Sequence, residues 1–139
     1  LTGPAALVHQ ALKVGTHTAY HAPVAGQLAA LRALSVGADW IAKARAQYRE
    51  AGVESAATLG LAPPQGSTFH FLDVAHRLDE RGMQGFLEDC FEDGVLVAPG
   101  SSSGSDYGSW IRLCYTAAPP DDVRRATQCL ARRIGVAPA

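Results

Sequence analysis

The sequence predicts an α+β fold, in which long helices are followed by a small, mostly antiparallel sheet covered by helices on one side. Three observations carry that expectation. Residues 110–116, Trp-Ile-Arg-Leu-Cys-Tyr-Thr, alternate at the strand period of two, so Ile111, Leu113 and Tyr115 share one face and Arg112 stands on the other. Residues 119–134 have the clearest helical pattern, with Val123, Ala126, Leu130 and Ile134 on one side. Asp121 and Asp122 lie in its first turn, Arg132 and Arg133 near its end and Gly135 just beyond, the polarity a helix dipole favours. Residues 23–51 carry a longer apolar stripe than a few short strands can cover, so part of this arm is expected to pack on another domain or subunit.

Length and charge bound the rest. At 139 residues the chain is one domain by size, long enough for a real core but short for a catalytic machine with its own cofactor domain. Its 12 basic and 13 acidic residues are interspersed, which leaves no basic stripe for nucleic acid and no acidic tail. Cys90, Cys114 and Cys129 are odd in number, lack zinc-site spacing and lie in apolar patterns, as expected of reduced thiols in a cytoplasmic setting. No apolar run approaches the roughly 20 residues that span a bilayer, and the N-terminus has no charged region followed by an apolar one, so the chain reads as soluble and untargeted. It begins at Leu1 within Leu-Thr-Gly-Pro, which reads as a strand end and turn and suggests a fragment or a processed chain.

In chain order, Thr2 and Pro4 suit a helix entry, with Leu7, Ala11 and Val14 on one face and Gly15 as its stop. Residues 16–22 are then a polar and aromatic connector. Pro23 opens a second helix with a stripe of Val24, Leu28, Leu31 and Leu34. Gly37 bends or breaks it, and Trp40, Ile41, Ala44 and Tyr48 continue the stripe as far as Gly52. Residues 57–61 read as a short strand, 63–66 as a turn and 68–74, Thr-Phe-His-Phe-Leu-Asp-Val, as an aromatic strand. A helix interrupted by Gly82 and Gly85 is expected over 79–93, and the apolar run 95–98 reads as a strand covered on both faces. The glycine and serine loop 99–109 joins it to the strand of Arg112.

Several motifs fail on context. Gly100-Ser101-Ser102-Ser103-Gly104 matches the nucleophile elbow, but a strand rather than a helix follows, and the last histidine, His76, comes before it. Gly100, Gly104 and Gly108 are not followed by the lysine and helix start of a phosphate cradle. His17 and His21 have helical spacing for a metal, yet Pro23 places the helix start after them and no carboxylate or thiol is near in sequence. Arg112 is different. Set between Ile111 and Leu113, it must reach an edge or meet an anion, and its planar fork suits a carboxylate.

At these residues the chain resembles a family. Gly94-Val-Leu-Val-Ala-Pro-Gly-Ser, the polar loop, Trp110-Ile-Arg-Leu-Cys-Tyr and the closing helix resemble the C-terminal small domain of class I/II aminotransferases, fold type I enzymes that use pyridoxal phosphate. Leu1-Thr-Gly-Pro, Thr18-Ala-Tyr-His-Ala-Pro with Gln27, and Pro64-Gln-Gly-Ser-Thr-Phe-His-Phe are similar to further family segments in the same order, so the likeness extends over nearly the whole chain. Ser103 stands where the family usually has an aromatic residue.

The resemblance implies that residues 1–52 are interface and interdomain helices and 53–139 the small domain. It implies that Arg112 holds the α-carboxylate of amino acid and keto acid substrates. Thr16 and Tyr20 would contact substrate across a dimer interface. It further implies that pyridoxal 5'-phosphate is bound through a lysine in an N-terminal portion not present in this chain, since Lys13 and Lys43 match no motif. Catalysis by this chain alone is not expected. Elimination, cyclisation or decarboxylation on the same cofactor, or a non-catalytic binding domain without the cofactor half, remain alternative functions.

Overall fold

A computed structural model describes residues 2–136 of the chain. They form two compact units, divided after Ala42 inside one helix. The architecture is α+β, with five α-helices and one three-stranded antiparallel sheet among the described residues.

In the first unit α1 spans Ala5–Thr18 and α2 spans Val24–Val36, and α3, Ala38–Thr58, begins there. Gly15 does not stop α1. A glycine inside a helix costs only about 1 kcal/mol relative to alanine, so the helix runs on through Thr16, and Thr16 and Thr18 donate hydroxyl hydrogen bonds to the carbonyls of Leu12 and Val14. Its turn comes at Ala19 and Tyr20, where Tyr20 adopts a left-handed φ of 54°. Thr2 does not cap α1 either, because Pro4 holds the N-cap position without a side-chain hydrogen bond. Gly37 does break the arm: a Cβ there would lie 2.4 Å from the Ala33 carbonyl oxygen, so only glycine permits this close turn from α2 into α3. No residue of α1 or α2 is buried within the described chain.

The second unit holds the core. There α3 continues past Gly52 to Thr58, so the strand expected over 57–61 is absent. The small residues of this stretch turn inward instead, with Ala56 fully buried and Ser55 buried beside it. The remaining elements are β1, Phe69–Asp73; α4, Gly82–Glu92; β2, Ala98–Pro99; β3, Trp110–Cys114; and α5, Pro120–Ile134. Strand order is β1-β3-β2. Register pairs His70 with Leu113, Leu72 with Ile111, Phe71 with Arg112 and Ala98 with Arg112. Leu72, Val74, Ile111 and Leu113 meet Phe86 and Cys90 of α4 and Leu130 and Ile134 of α5 in one cluster.

Two expectations are corrected here. The run 95–98 is not covered on both faces: Val95 and Val97 are buried, but Leu96 is 83% exposed. Gly85 does not interrupt α4. It is buried, and a Cβ on it would sit 2.8 Å from Arg81 Nε, so its absence makes room for a guanidinium. Arg81 there bridges Asp79 at 2.8 Å and Asp89 at 2.9 Å, and Asp89 also meets Arg133 of α5 at 3.1 Å. At the end of α5, Gly135 takes the left-handed conformation, and Val136 N–H bonds to Ala131 O at 2.9 Å, closing the helix as its sequence suggested. None of the described helices is long and apolar enough to cross a membrane.

Candidate functional site

The uncovered face of the sheet is assembled by alternation. Phe69, Phe71 and Asp73 of β1 and Trp110, Arg112 and Cys114 of β3 point away from the core, and Ala98 of β2 lies beside Arg112. Arg112 is exposed, with its guanidinium carbon 5.4 Å from the centre of the Phe69 ring. Among the described residues no carboxylate forms an ion pair with it, Asp106 included. An arginine so placed is free to take an external anion.

Beyond Arg112 the face is aromatic. Phe71 stacks on Trp110 with centroids 5.0 Å apart, and Tyr107, from the loop, meets both edge-on at 5.0 and 5.9 Å. The loop holds Tyr107 there by folding as two short 3-10 turns, Gly100–Ser103 and Ser105–Tyr107, either side of Gly104 at φ 143°. Asp73 closes the end of the face, with Oδ1 accepting from Ala75 N–H at 3.0 Å and from Ser109 Oγ at 2.8 Å. Those two hydrogen bonds hold its carboxyl below its usual range.

Cys114 differs from the apolar thiol expected of it, since it is exposed on this face beside Phe69. Burial pushes its thiol up, but hydrogen bonds with Thr116, helped by the charge of Arg112, outweigh this and leave it below its usual value. Cys90 does behave as a core residue, and burial pushes its thiol up to about 11.

Of the other residues singled out in the sequence, Thr16 and Tyr20 lie in the first unit, in the last turn of α1 and just after it. Tyr20 is 83% exposed in its left-handed conformation, which a tyrosine rarely adopts. Gln27 ties the connector to α2 by donating to the Ala22 carbonyl at 2.7 Å. His17 is helical and His21 is not, so the two do not share a helical face, and no metal-binding cluster occurs among the described residues. Ser102 donates to the Pro99 carbonyl at 2.8 Å and ends in a 3-10 turn, not at a helix start. Lys13 and Lys43 lie on α1 and α3, and the glycine loop leads into β3.

One polar cluster escaped the sequence reading. His70 Nε2 lies 2.8 Å from Ser55 Oγ in the core, and the His70 ring packs on Tyr115 with centroids 4.7 Å apart. The signal was present, because alternation with Leu72 puts His70 on the buried face. Ser55 already directs its hydroxyl hydrogen at the Ala51 carbonyl, 2.6 Å away, so it accepts from His70 and is not poised as a nucleophile. The pair is structural.

Burial holds the His70 ring below its ordinary value, outweighing a hydrogen bond to the Gly52 backbone that acts the other way. The unfolded chain therefore binds a proton near pH 6.5 that the folded chain does not. Stability from this residue is present above about pH 6.5 and falls as the pH drops below it, with a limiting slope of about 1.4 kcal/mol per pH unit. Urea denaturation at pH 7.5 and 5.5 should show the loss, and His70→Gln should flatten it. An unchanged slope in His70→Gln would assign the effect elsewhere.

No family model matches this chain, and no curated protein matches it.

Proposed function

We propose that this chain is the C-terminal portion of a pyridoxal-phosphate-dependent aminotransferase of the class I/II, fold type I kind. In this reading Arg112 grips the α-carboxylate of an amino acid or keto acid. The observation that carries it is the position of Arg112 on the uncovered sheet face, without a carboxylate partner among the described residues. A small antiparallel sheet with helices on one face is the coarse architecture that such a small domain requires.

The cofactor, when bound by the missing N-terminal portion, supplies stabilisation of a carbanion. This chain's part is to hold the substrate by its carboxylate and so fix its orientation. Apolar stripes left exposed on the arm, with Leu28 61% and Leu34 87% exposed, support packing against that portion and a dimer partner. Thr16 and Tyr20 then serve the substrate end of the interface.

Coexpression with a companion polypeptide bearing an S-x-x-K-like segment tests the reading. The two should copurify as a complex whose pyridoxal phosphate absorbance changes when an amino acid is added. A compact, stable monomer that ignores the companion would sink the proposal.

A further inference from the structure

We infer that the aromatic group Phe71, Trp110 and Tyr107 is a specificity wall beside Arg112, which selects carboxylates carrying a large apolar or aromatic group and rejects a second carboxylate. The inference rests on the carboxylate role of Arg112 and adds to it the class of ligand. Three features of the uncovered face support it.

First, the guanidinium leans over Phe69, on one side of its strand position, so the aromatic surface on its other side is left for the body of a ligand. Phe71 is opposite Arg112 in register, and Trp110 is one same-face position further along β3. That step is about 6 to 7 Å at the rise of a strand, comparable with the reach from a carboxylate to an aryl ring two carbons away. Second, the wall is preorganised: Tyr107 is fixed edge-on against both stacked rings, and the tight packing of Gly100 against Trp110 and Tyr107 holds the loop in place. Third, the charges beyond Arg112 are of the wrong sign for a diacid. Asp73 stands opposite Trp110 and Asp106 lies in the loop beside Tyr107, while Arg112 is the only lysine or arginine among the β1 and β3 residues of this face. A distal carboxylate would meet carboxylates.

The test titrates the 139-residue chain with propionate, 3-phenylpropionate and succinate. The indole N–H resonance of Trp110, assigned with Trp110→Phe, reports binding. Expected are an affinity for 3-phenylpropionate at least tenfold above that for propionate, and none for succinate above propionate. Tyr107→Ala and Tyr107→Leu should bring the 3-phenylpropionate to propionate ratio within threefold. The ratio is read within each variant, so a general loosening of the loop, which weakens both ligands alike, does not imitate loss of selection. Arg112→Lys should weaken all three ligands about equally. A ratio that survives both Tyr107 variants, or tighter binding of succinate, overturns the wall and leaves the carboxylate role of Arg112 standing. Ligand affinities unchanged in Arg112→Lys, or no saturable binding of any of the three, overturn both.

Discussion

On the proposed aminotransferase reading, Arg112→Lys in the complex with the companion polypeptide should weaken binding of amino and keto acids by about ten- to a hundredfold, and Arg112→Ala should do so more severely. A guanidinium and a carboxylate form two parallel charge-assisted hydrogen bonds, each contributing about 1.5 to 3 kcal/mol. Lysine keeps the charge and loses the fork, so about one of the two bonds goes, and each 1.4 kcal/mol is a factor of about ten. The fold should be almost indifferent. Arg112 is exposed and without an ion pair among the described residues, and its contact with the Phe69 ring contributes about 0.5 to 1 kcal/mol at such a site. Ligand titration and thermal melting of the same variants decide the matter. If melting temperature falls while affinity holds, Arg112 pairs with a carboxylate of the protein assembly and the substrate assignment is withdrawn.

Gly100→Ala should damage both stability and binding. A Cβ on Gly100 would lie 2.6 Å from Trp110 Cβ and 2.7 Å from the carbonyl oxygens of Trp110 and Tyr107. Two of these neighbours are backbone, so the loop as a whole must shift. Overpacking of this kind costs about 1 to 3 kcal/mol, and it displaces Trp110, the next residue on the Arg112 face of β3. The melting temperature should drop by several degrees and carboxylate affinity should fall with it. Gly108→Ala is the control. Nothing lies within 4 Å of a Cβ there, and φ is −62°, so alanine should be neutral or stabilise by about 0.4 to 1 kcal/mol. Equal melting temperatures for the two variants would mean that Gly100 is not the keystone of the loop.

Much of the second unit was legible because its signals are local. The polarity of α5, with Asp121 and Asp122 at one end and Arg132, Arg133 and Gly135 at the other, needs only the helix dipole and the need of glycine for a left-handed cap. The alternation about Arg112 likewise needs only the pleat of a strand, and the observed burial of Ile111 and Leu113 with Arg112 exposed follows it.

The misreadings share a physical cause. Propensity alone predicts a stop at Gly15 and Gly52 and an interruption at Gly85, but glycine's cost of about 1 kcal/mol is overridden wherever the helix continues to gain hydrogen bonds or packing. At Gly52 the reason is spatial: a Cβ would lie 2.9 Å from Pro64 and 3.1 Å from the Tyr115 ring, so glycine there marks a close approach within α3 and not its end. No pattern along the chain announces such a contact.

The α+β class, the helices, the two main strands and the isolation of Arg112 from the apolar row were legible along the chain, since period and polarity are properties of neighbours in sequence. Long-range packing set the rest: β2 is two residues long, Leu96 is left exposed, His70 and Ser55 meet in the core, and Tyr107 joins Phe71 and Trp110 beside Arg112. Those outcomes depend on which face of the sheet the helices cover and on how a loop folds back across it. They are set by contacts between residues far apart in the chain, where local propensity carries no information.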